Sequence, residues 1–197
     1  MTGARYDDVA QYYERVMRPF ERWVIPGLRQ AALKEIPAGA RTLEVGAGTG
    51  LNFVYYPEDA TGAATEFSRE MLMIAREKQR PRGVGLLQNC AEDLPFQNAS
   101  FDAAFATLVF CSVASPVKAL SELRRVVRSG GTVVLLEHVR PVGVLGPLFD
   151  FLNLFTSKLF DDHINRQTAK TASDVGLEVV KVERSRLGII NLITCRV

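Results

Sequence analysis

Three glycines fall within five residues in Gly46-Ala47-Gly48-Thr49-Gly50, directly after Thr42-Leu43-Glu44-Val45, a short run of strand character. Backbone without side chains lets a ligand approach closely and gives access to positive φ, so such a loop at a strand end suits ligand binding through its N–H groups. A second strand, expected over Ala60 to Glu66, ends in a carboxylate 20 residues beyond Gly46. A carboxylate there can accept hydrogen bonds from both hydroxyls of a ribose. Groups able to move a proton lie elsewhere: Tyr12 and Tyr13 near the N-terminus, His138 after an apolar run, and Asp162-His163 further on. Of these, His163, Tyr13 and His138 are the candidate catalytic residues. Each also has a plain structural use, the tyrosines in helix packing, His138 as a hydrogen-bonded strand end, and Asp162 in a turn.

The elements that must position these groups alternate. Tyr6 to Ile36 reads as helical with a break or bend near Arg18-Pro19, because the residue before proline avoids the helical region. After the glycine loop a helix is expected from Leu51. The Ala60–Glu66 strand leads to a helix from Ser68, a capping residue, to about Arg80. Val84 to Asn89 is a strand, followed by the Asp93-Leu94-Pro95-Phe96 loop. Phe101 to Val109 is a strand, Pro116 to Arg128 a helix with proline in its first turn, and Ser129-Gly130-Gly131 breaks it. Thr132 to Val139 is a buried strand. Asn165 is expected to cap a helix that runs to Val175 and closes at Gly176. Leu177 to Arg184 and Gly188 to Val197 are strands joined too briefly for a crossover, so they must pair antiparallel. This alternation predicts an α/β fold: a doubly wound, mostly parallel seven-stranded sheet with an antiparallel C-terminal hairpin. In such sheets the ligand crevice lies beyond the carboxyl ends of the strands, where both the glycine loop and Glu66 fall.

Composition sets the outer bounds. With 197 residues, the chain fits a single domain, read as 1–197 with an N-terminal helical cap (1–36) and a helical insertion (142–165). A net charge of +2 with dispersed Lys and Arg argues against a nucleic-acid partner. Cys90, Cys111 and Cys195 are odd in number and lack CxxC spacing, which suits free thiols in a reducing compartment and leaves no zinc pattern. The N-terminus is no secretory signal, so a cytoplasmic location is expected. Val142 to Phe160 is rich in Leu, Phe and Val, but Pro147, Asp150, Asn153 and Lys158 interrupt it as a membrane span. Peripheral membrane contact remains compatible with it.

The glycine loop and Glu66 would serve a nicotinamide or an adenosylmethionine binder alike. The third glycine of a dinucleotide GxGxxG would fall at position 51, which is Leu51 and would obstruct helix–strand packing. The terminal hairpin also departs from the usual dinucleotide sheet, which disfavours a nicotinamide oxidoreductase. A non-catalytic binding protein of the adenosylmethionine fold is the other alternative.

Several motifs in order carry a resemblance. Leu43-Glu44-Val45-Gly46-Ala47-Gly48-Thr49-Gly50 resembles motif I of the class I S-adenosylmethionine-dependent methyltransferases. Asn89-Cys90-Ala91-Glu92-Asp93-Leu94-Pro95-Phe96 with Ser100-Phe101-Asp102, and Ala119-Leu120 through Gly130-Gly131, are similar to the ubiquinone/menaquinone methyltransferase (methyltransferase type 11) group. Thr49-Gly50-Leu51-Asn52-Phe53 with Tyr56-Pro57, Thr107 to Val113, Glu137-His138-Val139 and His163-Ile164-Asn165-Arg166 resemble thiol-methyltransferase-like members. The resemblance implies a Rossmann-like fold and S-adenosyl-L-methionine as cofactor. It further implies that Glu44 and the Gly46, Ala47, Gly48 and Gly50 backbone hold the methionine end, with Glu44 organising the loop. Glu66 would bind ribose, Phe67 and Met71 would lie near adenine, Ala91 would offer its N–H to adenine, and Thr107 would face the sulfonium. Many relatives have Asp where this chain has Cys90; a thiol is a poor acceptor for the adenine amino group, and Glu92 is the candidate replacement.

Methyl transfer from a sulfonium is an in-line displacement, so the protein's task is alignment and desolvation. No Ser–His–Asp or Cys–His arrangement is needed, and none is visible. Leu148, Phe151, Leu152, Phe155 and Leu159 recur at helical spacing. If they roof the acceptor site, the acceptor is small and hydrophobic or amphipathic, with a thiol expected ahead of a lipid amine and a quinone-like ring third.

Overall fold

The computed structural model describes residues 3–23, 27–138, 167–185 and 190–197. The 142–165 insertion with its apolar face, His163 and Asn165 lie outside these residues. Helix α1 (Gly3–Trp23) and short helix α2 (Leu28–Lys34) precede strand β1 (Arg41–Val45). Next come β2 (Thr61–Glu66), α3 (Arg69–Arg76), β3 (Gly83–Gln88), β4 (Phe101–Thr107), α4 (Pro116–Val126) and β5 (Val127–His138). Helix α5 (Thr168–Asp174), β6 (Glu178–Arg184) and β7 (Ile190–Arg196) complete the described elements.

The seven strands form one sheet in the order β3-β2-β1-β4-β5-β7-β6. Pairing is parallel from β3 through β5, and β7 lies antiparallel between β5 and β6. The α/β expectation therefore holds, hairpin included. The strand order reverses between β1 and β4, and a crevice opens at that point. Alternate residues of β5 pack on opposite faces. Val133 and Leu135 join Leu120 and Leu123 of α4, while Val134 and Leu136 join Ala32 of α2 and Phe105 of β4. The Val-Val-Leu-Leu run is therefore apolar on both faces because both are covered.

Four local expectations are corrected. Of the break or bend expected near Pro19 there is no break: helix α1 continues through it to Trp23, and the proline is exposed, so solvent can take the carbonyl it leaves without a donor. In place of a helix from Leu51 there is one 3₁₀ turn, Phe53–Tyr55. Pro57 stops it, holding Tyr56 extended at ψ 138. The Ser129-Gly130-Gly131 segment lies inside β5, where the pairing with β4 jumps from Phe101↔Val127 to Ala103↔Thr132 and Gly130 takes φ 72. Helix α5 starts at Thr168, with Gln167 at its N-cap position. The Ser68 cap is found as expected: its hydroxyl accepts from Met71 N at 3.2 Å.

Candidate functional site

The crevice at the β1/β4 switch is a cleft walled by the glycine loop, the ends of β2 and β4, the start of α3 and the segment after β3. The sequence-predicted residues Gly46, Ala47, Gly48, Glu66, Phe67, Met71, Ala91, Glu92, Thr107 and Tyr13 all line it. Glu44 and Gly50 lie behind its wall and His138 is not part of it.

Gly48 and Glu66 form the centre. The Gly48 N–H donates to one Glu66 carboxylate oxygen at 2.7 Å and the Ser68 N–H donates to the other at 2.8 Å. These bonds fix the carboxylate in orientation. Burial nevertheless raises the pKa of Glu66 above the usual carboxylate value, against the backbone N–H groups of Ser68, Gly48 and Phe67 that favour its charge. At Gly48, φ is +57 and an added Cβ would meet no heavy atom nearer than Met71 Sδ at 4.0 Å, so the space before it is the cleft itself. Gly46 differs: its Cβ would come within 2.4 Å of Val109 Cγ2, so its absence lets the β4 end pack against the loop. A carboxylate fixed beside a bare backbone loop fits a nucleoside-bearing cofactor with a polar tail.

Behind the loop is a buried polar network. Asn52 Nδ2 donates to Glu44 Oε1 at 2.6 Å and to Thr107 Oγ1 at 2.9 Å, and the Tyr56 hydroxyl donates to Glu44 Oε2. Arg29 Nη1 reaches Asn52 Oδ1 at 3.1 Å and Thr107 Oγ1 at 2.7 Å. The other side of its guanidinium binds Glu21 of α1 through Nη2 at 2.6 Å and through Nε. Burial raises the Glu44 pKa, opposed by the Tyr56 and Asn52 hydrogen bonds and the Arg29 charge. Burial works against the Arg29 charge, but the Glu21 carboxylate, joined by the charges of Tyr13 and Glu44, outweighs it, and its pKa stands above the ordinary value. Glu44 is thus tied to the segment that follows the glycine loop through Asn52 and Tyr56. Sequence reasoning gave no role to Arg29, Asn52 or Tyr56. Asn52 and Tyr56 lie within the motifs that carry the resemblance, but nothing local to Arg29 signals it, since its partners come from separate segments of the chain.

The opposite wall is held by Glu137. Its carboxylate accepts from the N–H groups of Val109 at 3.0 Å and Phe110 at 3.1 Å, and the residue is fully buried. This brace follows Leu108, a cleft residue at φ 59, a backbone conformation that a leucine rarely adopts. Glu92 Oε1 accepts from Ser115 N at 2.8 Å at the start of α4, so this carboxylate fastens the loop after β3. The Oδ1 of Asn89 in the same loop is buried with no hydrogen-bond partner among the described residues. His138, at the end of β5, is half-buried, and burial lowers its pKa to about 4, so it is neutral at physiological pH. Among the described residues no group of three or more His, Cys, Asp or Glu could hold a metal ion.

Residues 43–135 match the family model of the methyltransferase domain. The chain is 33% identical over 183 residues to a phosphatidylethanolamine N-methyltransferase of Cereibacter sphaeroides, covering 85% of this chain and 90% of that one. It is 31% identical to a demethylmenaquinone methyltransferase of Paenarthrobacter aurescens, covering 78% of this chain and 59% of that one. It is 32% identical to the thiol S-methyltransferase TMT1B of Mus musculus, covering 77% and 65% respectively. In fold it is similar to a SAM-dependent methyltransferase of Thermotoga maritima, described as a possible histamine N-methyltransferase. The TM-score is 0.77 at 24% identity, over 100% of this chain and 99% of that one. A glycine loop and a fixed carboxylate at the switch point of this sheet, together with these relatives, mean that the chain belongs to the class I S-adenosylmethionine-dependent methyltransferases, with S-adenosylmethionine as methyl donor.

Proposed function

We propose that the chain transfers a methyl group to the amine of a phosphatidylethanolamine-type lipid. The observation that carries this reading is its relation to the bacterial phosphatidylethanolamine N-methyltransferase, which extends over 90% of that protein, against 51–73% for the quinone relatives and 61–65% for the thiol relatives. This sets the lipid amine ahead of the thiol that the local motifs favour. The thiol reading keeps those motifs and the 32% identity to TMT1B as its support.

S-adenosylmethionine supplies an electrophilic methyl group on a sulfonium. The residues of the chain bind and align. We assign Glu66 to the ribose hydroxyls, Phe67, Met71 and the Ala91 N–H to the adenine, and the Gly46–Gly50 backbone to the methionine end. Thr107, held by Arg29 and Asn52, faces the sulfonium region from β4. The acceptor ammonium must lose a proton to solvent before its nitrogen lone pair can form the new N–C bond, as the bond between the methyl carbon and sulfur breaks and its electron pair stays on sulfur. Tyr13 reaches the cleft from α1 and is the described residue assigned to hold that proton's hydrogen bond. A histidine with a pKa of about 4 is too weak a base for an ammonium, so His138 is not given this task. His163 and the 142–165 insertion keep their assignment to the acceptor side.

The test offers labelled adenosylmethionine in parallel to phosphatidylethanolamine in mixed micelles, a hydrophobic thiol and a quinol. Label should appear on the phospholipid amine. Label confined to the thiol, the quinol or a highly polar acceptor overturns the proposal.

A further inference from the structure

Helix α1 sorts its side chains by chemistry around its axis. Asp7, Glu14 and Glu21 recur every seven residues and turn toward the body of the protein. Asp7 accepts from the Ser68 hydroxyl and from Glu70 N at 3.2 Å, Glu14 pairs with Lys78, and Glu21 pairs with Arg29. Away from the body, Tyr12, Val16 and Trp23 are 56%, 71% and 76% exposed. Their spacings of four and seven residues put them on one stripe. Arg15, Arg18 and Arg22 are also exposed and form the neighbouring stripe, with the Arg22 guanidinium 5.4 Å from the centre of the Trp23 ring. The acids thus face inward and the cations outward, beside apolar and aromatic groups in contact with solvent. Tyr13, the next residue to Tyr12, lines the cleft, so this face flanks the cleft mouth.

We infer that the outward face of α1 is the surface by which this methyltransferase docks on an anionic lipid bilayer. Trp and Tyr favour the headgroup level, where an apolar ring and a polar edge are both satisfied. Arginines beside them can bury their stems while their charges meet lipid phosphates. Among the described residues no helix is long and apolar enough to cross a membrane, so α1 would lie in the interface plane. A second copy is a poorer occupant. Two-fold antiparallel pairing of this face would set the arginine stripe of one helix beside the same stripe of the other. The inference deepens the lipid-amine reading and rests on it for the biological setting, since a lipid acceptor must be taken from a bilayer.

Trp23 is the single tryptophan of the chain and reports directly. The full chain is titrated with vesicles of phosphatidylcholine and phosphatidylglycerol, which contain no ethanolamine lipid, and with pure phosphatidylcholine. On the anionic vesicles Trp23 emission should shift to the blue, be quenched by brominated acyl chains and return as salt is raised. Replacing the arginines together (Arg15→Gln, Arg18→Gln, Arg22→Gln) should weaken partitioning on the order of a hundredfold. Val16→Ser with Tyr12→Ser should abolish the quenching. Unchanged S-adenosylhomocysteine affinity and circular dichroism identify these variants as folded; if either set fails to fold, the wild-type titration decides alone. Absence of a vesicle-dependent shift in the wild type overturns the inference. So does a blue shift that grows with protein concentration in the absence of lipid, which makes the face a self-interface. Docking without methylation of micellar phosphatidylethanolamine defeats only the acceptor assignment; methylation without docking defeats only this inference.

Discussion

At Gly48 and Gly50 the same substitution should fail in two different ways. A valine at position 48 would project into the cleft, since the nearest atom to an added Cβ is 4.0 Å away. Gly48→Val should therefore abolish S-adenosylhomocysteine binding in calorimetry and leave the far-UV spectrum near wild type, at some cost from φ +57. At Gly50 the Cβ would fall 2.6 Å from the Phe53 ring, which is buried. Gly50→Val should lower stability by about 1–3 kcal/mol in denaturant titration through overpacking and backbone strain. Glu66→Ala should weaken the cofactor by about 1–3 kcal/mol, the order of a lost charge-assisted hydrogen bond. Unchanged affinity in that variant would remove the ribose assignment. The resemblance pointed to all three positions. Only the packing distances separate the glycine that admits a ligand from the one that admits a phenyl ring.

Helix α1 is fastened to the body chiefly by charge. Of its described side chains Ala10 is the buried apolar one, whereas Asp7, Glu14 and Glu21 each engage a partner on α3, beyond its end or on α2. Exposed ion pairs contribute about 0.2–1 kcal/mol each and weaken with salt, while breaking the half-buried Glu21–Arg29 pair costs more because it leaves the buried guanidinium without its carboxylate. Since Tyr13 of this helix lines the cleft, the three contacts should slow cofactor release. Asp7→Asn, Glu14→Gln and Glu21→Gln combined should speed S-adenosylhomocysteine dissociation roughly tenfold in stopped flow, and raised salt should act in the same direction on the wild type. Amide exchange localised to α1 should accelerate in parallel. If dissociation is indifferent to both, the helix does not govern release.

For the molecule as a whole, His138 couples stability to pH. Its pKa is about 4 in the folded chain and 6.5 in the unfolded reference, so the unfolded chain binds more protons between those values. Stability from this source is therefore fully present above pH 6.5 and is lost as pH falls toward 4. The full span corresponds to about 3 kcal/mol. Glu44 and Glu66, whose pKa values burial raises above 4.5, act in the opposite direction, being easier to protonate when folded. The informative comparison is therefore His138→Asn against wild type. Denaturant midpoints measured from pH 7 to pH 4.5 should fall less steeply in the variant, and parallel curves would show that the imidazole titrates normally.

The sheet was legible in the sequence because its signals are local. Apolar runs of strand length, glycine breaks and the short link before the last strand each constrain the few residues around them, and together they give a mostly parallel sheet ending in an antiparallel pair. The glycine loop and Glu66 were legible for the same reason: they stand at strand ends, and in a doubly wound sheet strand ends meet ligand; Phe67, Met71, Ala91, Glu92 and Thr107 were named only through the family resemblance. The segment from Leu51 to Pro57 departs from the expected helix because its 3₁₀ turn at Phe53–Tyr55 depends on Gly50 at φ +81 and on Pro57 acting together. The passage of α1 through Pro19 depends on which side of the helix meets solvent, which spacing to a proline does not encode. Glu44 could be named from its motif, but its work passes through Asn52, Thr107 and Arg29, which come from the loop, β4 and α2. Glu137 braces a turn 27 and 28 residues earlier in the chain. A buried carboxylate or guanidinium is tolerable only with its hydrogen bonds made, and partners so distant in sequence come together only when the strands pair. The sequence therefore determined the sheet and the glycine loop and carboxylate at its strand ends; the tertiary structure decided what holds them rigid.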